Sequence, residues 1–232
     1  MDRISRKELK ADNFALEVGQ TVTFVEEHRQ DIFRYGGIAL AVIVLVGGYM
    51  MYSGRQHSKR QEALFRAIQV QESPVGPPTP GANRNFPTQE VKDQVALKAF
   101  GDLAATYPGT QEGEIARYYI GAIQADEGKL AEAEKTFKEV ADKADAKYAS
   151  LAKLSLAQIY FADGRDQQGR AVLQDLMDHP TPFVSKEQAQ LTLARFVAPK
   201  NPAEAKKLLD PLRGMPGAIG TAALTTYSEL PQ

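Results

Sequence analysis

The feature that most constrains this chain is an uncharged run over residues 35–54. The run begins with Tyr35, ends with Gly54 and is flanked by Arg34 and Arg55. At about 1.5 Å per residue, a helix of this length rises about 30 Å, which is the thickness of the hydrocarbon core of a bilayer. A buried helix of a soluble protein rarely lacks charge on every face over such a length. The sequence therefore predicts a transmembrane helix over residues 35–54.

The position of the run predicts an anchor that is retained. It follows a charged segment of 34 residues, which is much longer than the leading region of a signal peptide. The residues at its end, 51–54, lack the small-x-small pattern that signal peptidase recognises. We therefore expect a charged tail over residues 1–34, a single span over 35–54 and a soluble part after it.

The composition argues against several classes of protein. The 232-residue chain has 28 basic and 29 acidic residues, so it lacks the excess of basic residues that nucleic-acid binding needs. It has no cysteine, which excludes disulfides, thiolate metal sites and a lipid-modified cysteine. We therefore expect no nucleic-acid partner, and we expect the apolar helix to attach the chain to the membrane.

Proline divides the chain after the apolar run. Residues 55–71 carry apolar residues at helical spacing, which predicts that the membrane helix continues into solvent. Five prolines and two glycines follow within residues 74–87, a density that no helix or central strand tolerates. We predict a juxtamembrane helix and a proline-rich linker over 55–88, and a separate domain over 89–232.

The domain over residues 89–232 contains an internal repeat. Four segments share a small residue, a large apolar residue four positions later and another apolar residue three positions beyond that. Successive segments are 37, 36 and 36 residues apart. The segments are Ala96/Phe100/Leu103, Ala133/Phe137/Val140, Gly169/Leu173/Leu176 and Ala205/Leu209/Leu212.

Two further features follow the same spacing. Proline recurs at Pro108, Pro180 and Pro216, at intervals of 72 and 36 residues, and short turns at 128–130 and 164–166 lie 36 residues apart. Residues four and seven positions after the small residue lie on one face of a helix, and the small residue lets a second helix approach closely. Because a lone helix pair cannot bury its apolar face, the repeat predicts helix pairs that stack into a continuous core.

This pattern resembles the tetratricopeptide repeat, in which Leu-Gly-x2-Tyr on the first helix is followed by Ala-x3-Phe and a terminal proline on the second. The matching residues are Ile120-Gly121 before Ala133-x3-Phe137, Leu156-Ala157-x2-Tyr160 before Gly169-x3-Leu173, and Ala96, Phe100 and Pro108 on a second helix. The chain departs from the family in two respects. It has no tryptophan, and its repeat is 36 residues long, whereas the repeat of the family is about 34 residues long. The resemblance covers residues 89–216. Together with the predicted span over residues 35–54, it implies an all-α fold: a single N-terminal transmembrane helix followed by a tetratricopeptide-like helical-repeat domain, an α-solenoid.

The layout of the chain resembles the YfgM family of ancillary subunits of the bacterial SecYEG translocon. The similar segments are Phe24-Val25-Glu26-Glu27-His28, Ala39-Leu40-Ala41-Val42 and Tyr52-Ser53-Gly54-Arg55-Gln56-His57. This resemblance implies a soluble domain in the periplasm, association with SecYEG and periplasmic chaperones, and handling of newly exported chains.

The charges around the span leave its orientation open. Within about 20 residues of the span, two basic residues precede it and four follow it, which favours a cytoplasmic repeat domain by the positive-inside rule. Over the whole tail, six basic residues precede the span against four after it, which favours the opposite orientation. The family resemblance implies a single-pass protein of the bacterial inner membrane with a periplasmic domain.

No pattern in the sequence indicates catalysis, a cofactor or a metal site. The three histidines, His28, His57 and His179, are scattered, and the HExxH, glycine-rich phosphate-loop and G-x-S-x-G motifs are absent. The glutamates at 132, 134 and 139 lie among lysines, as on a solvated helix face. We therefore predict a protein without enzymatic activity, cofactor or metal.

Aromatic residues supply the candidate binding site. Those on or near the first helices of the repeats, which line the concave surface of tetratricopeptide arrays, are Tyr118, Tyr119, Tyr148, Tyr160 and Phe161. Tyr160 is expected in the core. Arg117, Tyr118 and Tyr119 fit either core packing or partner binding, because aromatic side chains offer a large contact area at low entropic cost.

Two functions fit these features. The first is a membrane-anchored helical-repeat protein that binds other proteins, as an ancillary translocon subunit or a chaperone-like adaptor for exported chains. The second is a structural scaffold subunit of a cell-envelope or division complex, which predicts stable oligomers and no affinity for unfolded polypeptide.

Overall fold

Nine α-helices and one isolated β-bridge make up the regular structure of residues 29–77 and 84–231, the part of the chain that the computed structural model describes. The helices are α1 (Arg29–Glu72), α2 (Gln89–Thr106), α3 (Gln111–Asp126), α4 (Leu130–Lys143), α5 (Ala146–Ala162), α6 (Asp166–Asp178), α7 (Lys186–Val197), α8 (Pro202–Leu209) and α9 (Ala218–Ser228). The predicted all-α fold is confirmed. Most of the predicted tail, residues 1–28, and the middle of the predicted linker, residues 78–83, lie outside the described residues.

The first part of α1 has an apolar surface on every face. Its large apolar side chains between Phe33 and Tyr52 are between 52% and 72% exposed. Within the described residues, one helix is long and apolar enough to cross a membrane, and it covers Phe33–Glu72. Apolar side chains on every face are typical of a membrane span, which agrees with the predicted anchor. The division of the chain into tail, span, linker and repeat domain stays a prediction.

The last turns of α1 belong to the helical stack. The contacts between residues separate the earlier part of α1 from a unit that begins at Lys59. In this unit Ala67 and Val70 are 1% and 5% exposed, and they share a core cluster with residues of α2 and α3. Nearby, Arg60 Nε donates a hydrogen bond of 3.1 Å to the buried Glu112 Oε2 of α3. The end of α1 therefore serves as the first helix of the stack.

The two ends of the proline-rich segment pair with each other. The N–H of Gly76 donates to the carbonyl oxygen of Phe86 at 2.9 Å, and the N–H of Phe86 donates to that of Pro74 at 3.0 Å. Phe86 is 7% exposed and lies in the same core cluster as Ala67. In its described part, the segment contains neither a helix nor an extended strand, which agrees with its density of proline.

Three of the stacked helices begin at the predicted interval of 36 residues. The second helices of successive pairs, α4, α6 and α8, begin at Leu130, Asp166 and Pro202, at intervals of 36 residues. From α2 onward to α8, each helix packs against the next, and the first helices α3 and α5 also contact each other. Helix α9 packs against α7 and α8 at the end of the stack. The predicted stacking of helix pairs is confirmed.

Local turn and capping residues set the helix boundaries. Gly128 and Gly164 end the first helices with φ of 76° and 72°, in the left-handed region that residues with a Cβ atom rarely adopt. Helices α3, α5 and α7 begin after Thr110, Asp145 and Ser185, whose side chains accept hydrogen bonds from N–H groups of the first turn. The turn glycines of the first two pairs therefore lie 36 residues apart, and each of the three first helices begins at a side-chain cap.

The repeated pattern supplies one buried helix face in each pair. Its four small residues and the apolar residue four positions after each are all buried: Ala96, Phe100, Ala133, Phe137, Gly169, Leu173, Ala205 and Leu209. Close helix contacts occur at two glycines. A Cβ atom at Gly121 would lie 2.9 Å from the Phe137 ring, and one at Gly169 would lie 2.6 Å from the Phe161 ring. The first and second helices of these pairs approach closely because glycine leaves room for the rings.

Two glycines in neighbouring helices are expected to respond oppositely to alanine. A Cβ atom at Gly113 would lie 2.2 Å from the carbonyl oxygen of Tyr107, so Gly113→Ala must displace backbone and should cost about 1–3 kcal/mol. A Cβ atom at Gly101 would have no described neighbour within 4 Å, and Gly101→Ala should gain about 0.5–1 kcal/mol through its higher helix propensity. Urea denaturation followed by circular dichroism measures both. Effects of the same sign would contradict this prediction.

Glu134 joins two helix pairs through an ion-pair network. Its carboxylate accepts hydrogen bonds from Arg165 Nη1 at 3.0 Å and Nη2 at 2.6 Å, and lies 2.6 Å from Lys138 Nζ. The Arg165 guanidinium also lies 4.5 Å from the ring centroid of Tyr160. Hydrogen bonding to Arg165, and then to Lys138, lowers the pKa of Glu134 from 4.5 to about 2.

We expect this carboxylate to make the stability of the stack depend on pH. Because the pKa of Glu134 is lower in the folded chain than in the unfolded chain, its contribution is complete above about pH 4.5 and is lost as the pH falls towards 2. Glu134→Gln should lower the free energy of unfolding by about 1 kcal/mol at neutral pH and have almost no effect in strong acid. Thermal unfolding of the wild type and the variant, from neutral pH to strong acid, measures the difference in stability. Glu132→Gln, at an exposed position, is the control. A Glu134→Gln effect that does not change with pH would contradict the predicted pH dependence of stability.

Candidate protein-binding surface

Five aromatic side chains form a continuous series of ring contacts through the stack. We call it the aromatic row, and its members in spatial order are Phe100, Tyr119, Tyr118, Tyr148 and Phe183. Phe100 of α2 stacks on Tyr119 of α3 with 4.8 Å between ring centroids. Tyr119 meets Tyr118 edge-to-face at 5.9 Å, Tyr118 meets Tyr148 of α5 at 5.9 Å, and Tyr148 meets Phe183 at 5.4 Å. The aromatic row therefore joins three helices and the segment that precedes α7.

The two ends of the aromatic row differ in exposure. Phe100 is fully buried, the three tyrosines are half-buried, and Phe183 is 41% exposed. Burial raises the pKa of Tyr118, Tyr119 and Tyr148 above the ordinary value of 10, because it disfavours the phenolate. The three phenols are therefore neutral at physiological pH. Such side chains combine a large apolar body with a hydroxyl group, a combination that is common at protein interfaces.

Arg117, which was predicted together with Tyr118 and Tyr119, contacts a neighbouring helix. Its Nη1 donates to Glu139 Oε2 of α4 at 2.8 Å, and its side chain is 25% exposed. The same pair recurs 36 residues later, where Lys153 Nζ of α5 donates to Asp175 Oδ2 of α6 at 2.7 Å. Since the ion pair repeats with the fold, it links the two helices of a pair. A partner-binding role for Arg117 stays a prediction.

The other aromatic residues predicted on the first helices lie outside the aromatic row. Tyr160 is 8% exposed, and Phe161 stacks on Phe196 of α7 with 4.4 Å between ring centroids. Phe183 is the member of the aromatic row that the sequence did not predict. It lies between helices, and the residue 36 positions earlier is Lys147, so the repeat carries no signal for it.

Ionisable side chains are dispersed over the described residues, which contain no group of three or more histidine, aspartate or glutamate side chains placed to hold a metal ion. His179 Nδ1 lies 3.1 Å from Asp175 Oδ1 near the C-terminus of α6 and is exposed. A histidine at this end of a helix interacts favourably with the helix dipole.

Stacked helix pairs with a 36-residue period, crossed by a partly exposed row of aromatic side chains, define a helical-repeat protein. The family model described as a tetratricopeptide repeat-like domain matches residues 34–207, more than half of the chain. The chain therefore belongs to this family, whose domains are typically non-enzymatic modules that bind other proteins. No curated protein and no solved structure matches the chain.

Proposed function

We propose that the chain is a YfgM-like ancillary subunit of the SecYEG translocon, a membrane-anchored adaptor that binds newly exported chains and periplasmic chaperones. In this proposal residues 35–54 span the bacterial inner membrane, and residues 89–232 form the binding domain in the periplasm. Membership of a protein-binding family supports the general role. The long apolar helix supports the anchor, and the resemblance in layout supports the translocon as the partner.

The aromatic row is the observation that carries this proposal. A newly exported chain is extended and presents apolar side chains that a folded protein would bury. Aromatic rings bind such segments with a large contact area and lose few rotatable bonds. Anchoring in the same membrane as the translocon raises the effective concentration of the exported chain, so a weak binding surface is sufficient.

Loss of the exposed end of the aromatic row is expected to weaken binding of unfolded polypeptide. The double variant Tyr148→Ala/Phe183→Ala should bind a denatured secretory protein about tenfold or more weakly, because aromatic anchors contribute a large share of the energy of an interface. The measurement is fluorescence anisotropy, with the full-length chain in detergent and a labelled secretory protein diluted from urea.

The matched control is Leu224→Ala, which removes a side chain that is 52% exposed on α9, outside the aromatic row. Thermal unfolding establishes that both variants remain folded. If the double variant and the wild type bind with equal affinity, the aromatic row does not bind unfolded polypeptide. A wild-type chain that forms stable oligomers and does not bind the denatured protein would favour the scaffold function instead.

Protease added to intact spheroplasts tests the proposed orientation. We expect the domain after the span to be digested without lysis of the cells. The control is a cytoplasmic protein in the same cells, which must stay intact until detergent is added. Protection of the domain until lysis would place it in the cytoplasm and overturn the periplasmic role.

A photocrosslinking residue in place of Val42 tests the proposed partner. Irradiation of membranes should join the chain to a SecYEG subunit if the helix packs against the translocon. The same residue in place of exposed Leu224 on α9 serves as the control. Recovery of crosslinks without any SecYEG subunit would leave a membrane-anchored binding protein with a different partner.

A further inference from the structure

A cavity of about 330 Å³ lies between the first helices α3 and α5 and includes the last residue of each, Asp126 and Ala162. Two of the side chains that line it are deeply buried: Phe137 of α4 is 1% exposed, and Ile159 of α5 is 4% exposed. By contrast, Gln158 and Ala162 are exposed. The cavity therefore extends from the core to the surface, where another molecule can enter it.

The lining of this cavity is mainly apolar. Of its nine described residues, six are alanine, leucine, isoleucine or phenylalanine, and Asp126 is the one that is ionisable. An apolar cavity of about 150 Å³ is sufficient to hold a benzene ring. The space is therefore large enough for an aromatic side chain, and the carboxylate of Asp126 disfavours an acidic one.

The next repeat has larger side chains at two of the positions that line this cavity. A shift of 36 residues carries Ala125 to Phe161 and Ser155 to Leu191. Leu191 is 5% exposed, and Phe161 packs against the core cluster to which Leu191 belongs. The cavity thus lies where one repeat has two small side chains and the following repeat has two large apolar ones.

The cavity adjoins the aromatic row. The ring of Phe137, which lines the cavity, lies 5.7 Å from the ring of Tyr118, a member of the aromatic row. Both Tyr118 and the cavity residues Ala122 and Ala125 belong to α3. A polypeptide that binds along the aromatic row can therefore place a neighbouring side chain in the cavity.

We propose that this cavity binds a phenylalanine side chain of a bound polypeptide, which rests on the proposed protein-binding function. Transfer of an apolar side chain from water to apolar walls is favourable. The following repeat indicates the kind of side chain, since it has Phe161 and Leu191 at the corresponding positions. An aromatic ring is favoured over leucine because it also interacts with the ring of Phe137 in the wall. The partner is thereby expected to present a phenylalanine beside Tyr118.

The test uses a fluorinated peptide and the full-length chain in detergent. The probe is acetyl-Ala-Ala-Phe-Ala-Ala-amide with 4-fluorophenylalanine in place of phenylalanine, because its fluorine NMR line broadens on binding to a large particle. Detergent without protein gives the blank. We expect the wild type to broaden the line beyond this blank. An excess of the unlabelled phenylalanine peptide should reverse the broadening, and the same peptide with glutamate in place of phenylalanine should not.

A variant that closes the cavity should lose the probe. Ala125→Phe/Ala133→Gly copies Phe161 and Gly169 of the next repeat, where a Cβ atom at the glycine would lie 2.6 Å from the ring. It should bind the probe about tenfold or more weakly, because a side chain of the protein takes the space. The matched control is Ala133→Gly alone, which leaves the cavity open and should bind the probe as the wild type does.

A second variant closes the cavity from the other first helix. Ser155→Leu copies Leu191 of the next repeat and should also weaken binding about tenfold. Tyr148→Ala/Phe183→Ala, in the aromatic row, should leave binding of the short probe unchanged. Thermal unfolding establishes which variants are folded. Undiminished binding by either folded cavity variant would overturn the proposal, and so would a wild type that broadens the line no more than detergent does.

The denatured secretory protein, added to the same preparations, separates this proposal from the proposed function. If the wild type binds that protein but not the phenylalanine probe, the cavity site is wrong and the protein-binding function stands. If it binds the probe but not the denatured protein, the cavity site stands and its partner is a folded protein with an exposed phenylalanine. In that second case the role in handling exported chains is wrong.

Discussion

Replacing Phe137 with alanine is expected to lower the free energy of unfolding of the helical stack by about 3–5 kcal/mol. Phe137 is 1% exposed, and it lies in the core cluster that joins α3, α4 and α5. Its ring is 5.7 Å from that of Tyr118 and occupies the space beside Gly121. Because this cluster is shared between α3 and α4 of one pair and α5 of the next, the cavity left by the substitution would destabilise both pairs. Urea denaturation measures the loss.

A double-mutant cycle sharpens this test. Gly121→Ala alone should destabilise the stack, because its Cβ atom would lie 2.9 Å from the Phe137 ring. In the Phe137→Ala chain the same methyl group enters the vacated space, so the two substitutions together should cost less than their sum. Lys135→Ala, at an exposed position on the same helix, should change stability by no more than about 0.5 kcal/mol. Additive costs at Gly121 and Phe137 would show that the ring does not fill this space in solution.

Two aspartates in the middle of the apolar run are expected to release the chain from the membrane. Each charge at the centre of a span raises the free energy of insertion by about 2.5–3.5 kcal/mol. In Val44→Asp/Val46→Asp, both side chains lie on a helix whose apolar surface is exposed on every face, so neither finds a partner within that part of the helix. Alkaline extraction of membranes followed by immunoblotting measures the fraction of the chain that is released.

The matched control places the same charges just beyond the run. Ser58→Asp and Gln61→Asp lie in α1 after the last apolar residues of the span, and the chain should stay in the membrane. Retention of the Val44→Asp/Val46→Asp chain in the membrane fraction, with the control also retained, would mean that residues 35–54 are not the anchor.

The fold was predictable where its determinants are local. The period of 36 residues placed the starts of α4, α6 and α8, because the turn before each second helix recurs at that interval. Gly128 and Gly164 require no distant partner to form their left-handed turns. The same holds for the apolar run, since helix length and the absence of charge are properties of the sequence alone.

The candidate site was less predictable because it depends on contacts between distant residues. Tyr118 and Tyr119 could be selected from their place on a first helix, but Phe183 joins the aromatic row through the path of a segment between helices.

The equal spacing of α4, α6 and α8 has a consequence for how proteins of this kind change over generations. Duplication of one 36-residue unit at a turn would reproduce the interfaces on either side of it, and the anchor and the terminal helix would need no adjustment. Each such event would extend the molecule by the thickness of one added layer of helices, about 10 Å. The length of the helical stack can therefore increase or decrease in steps of one repeat unit.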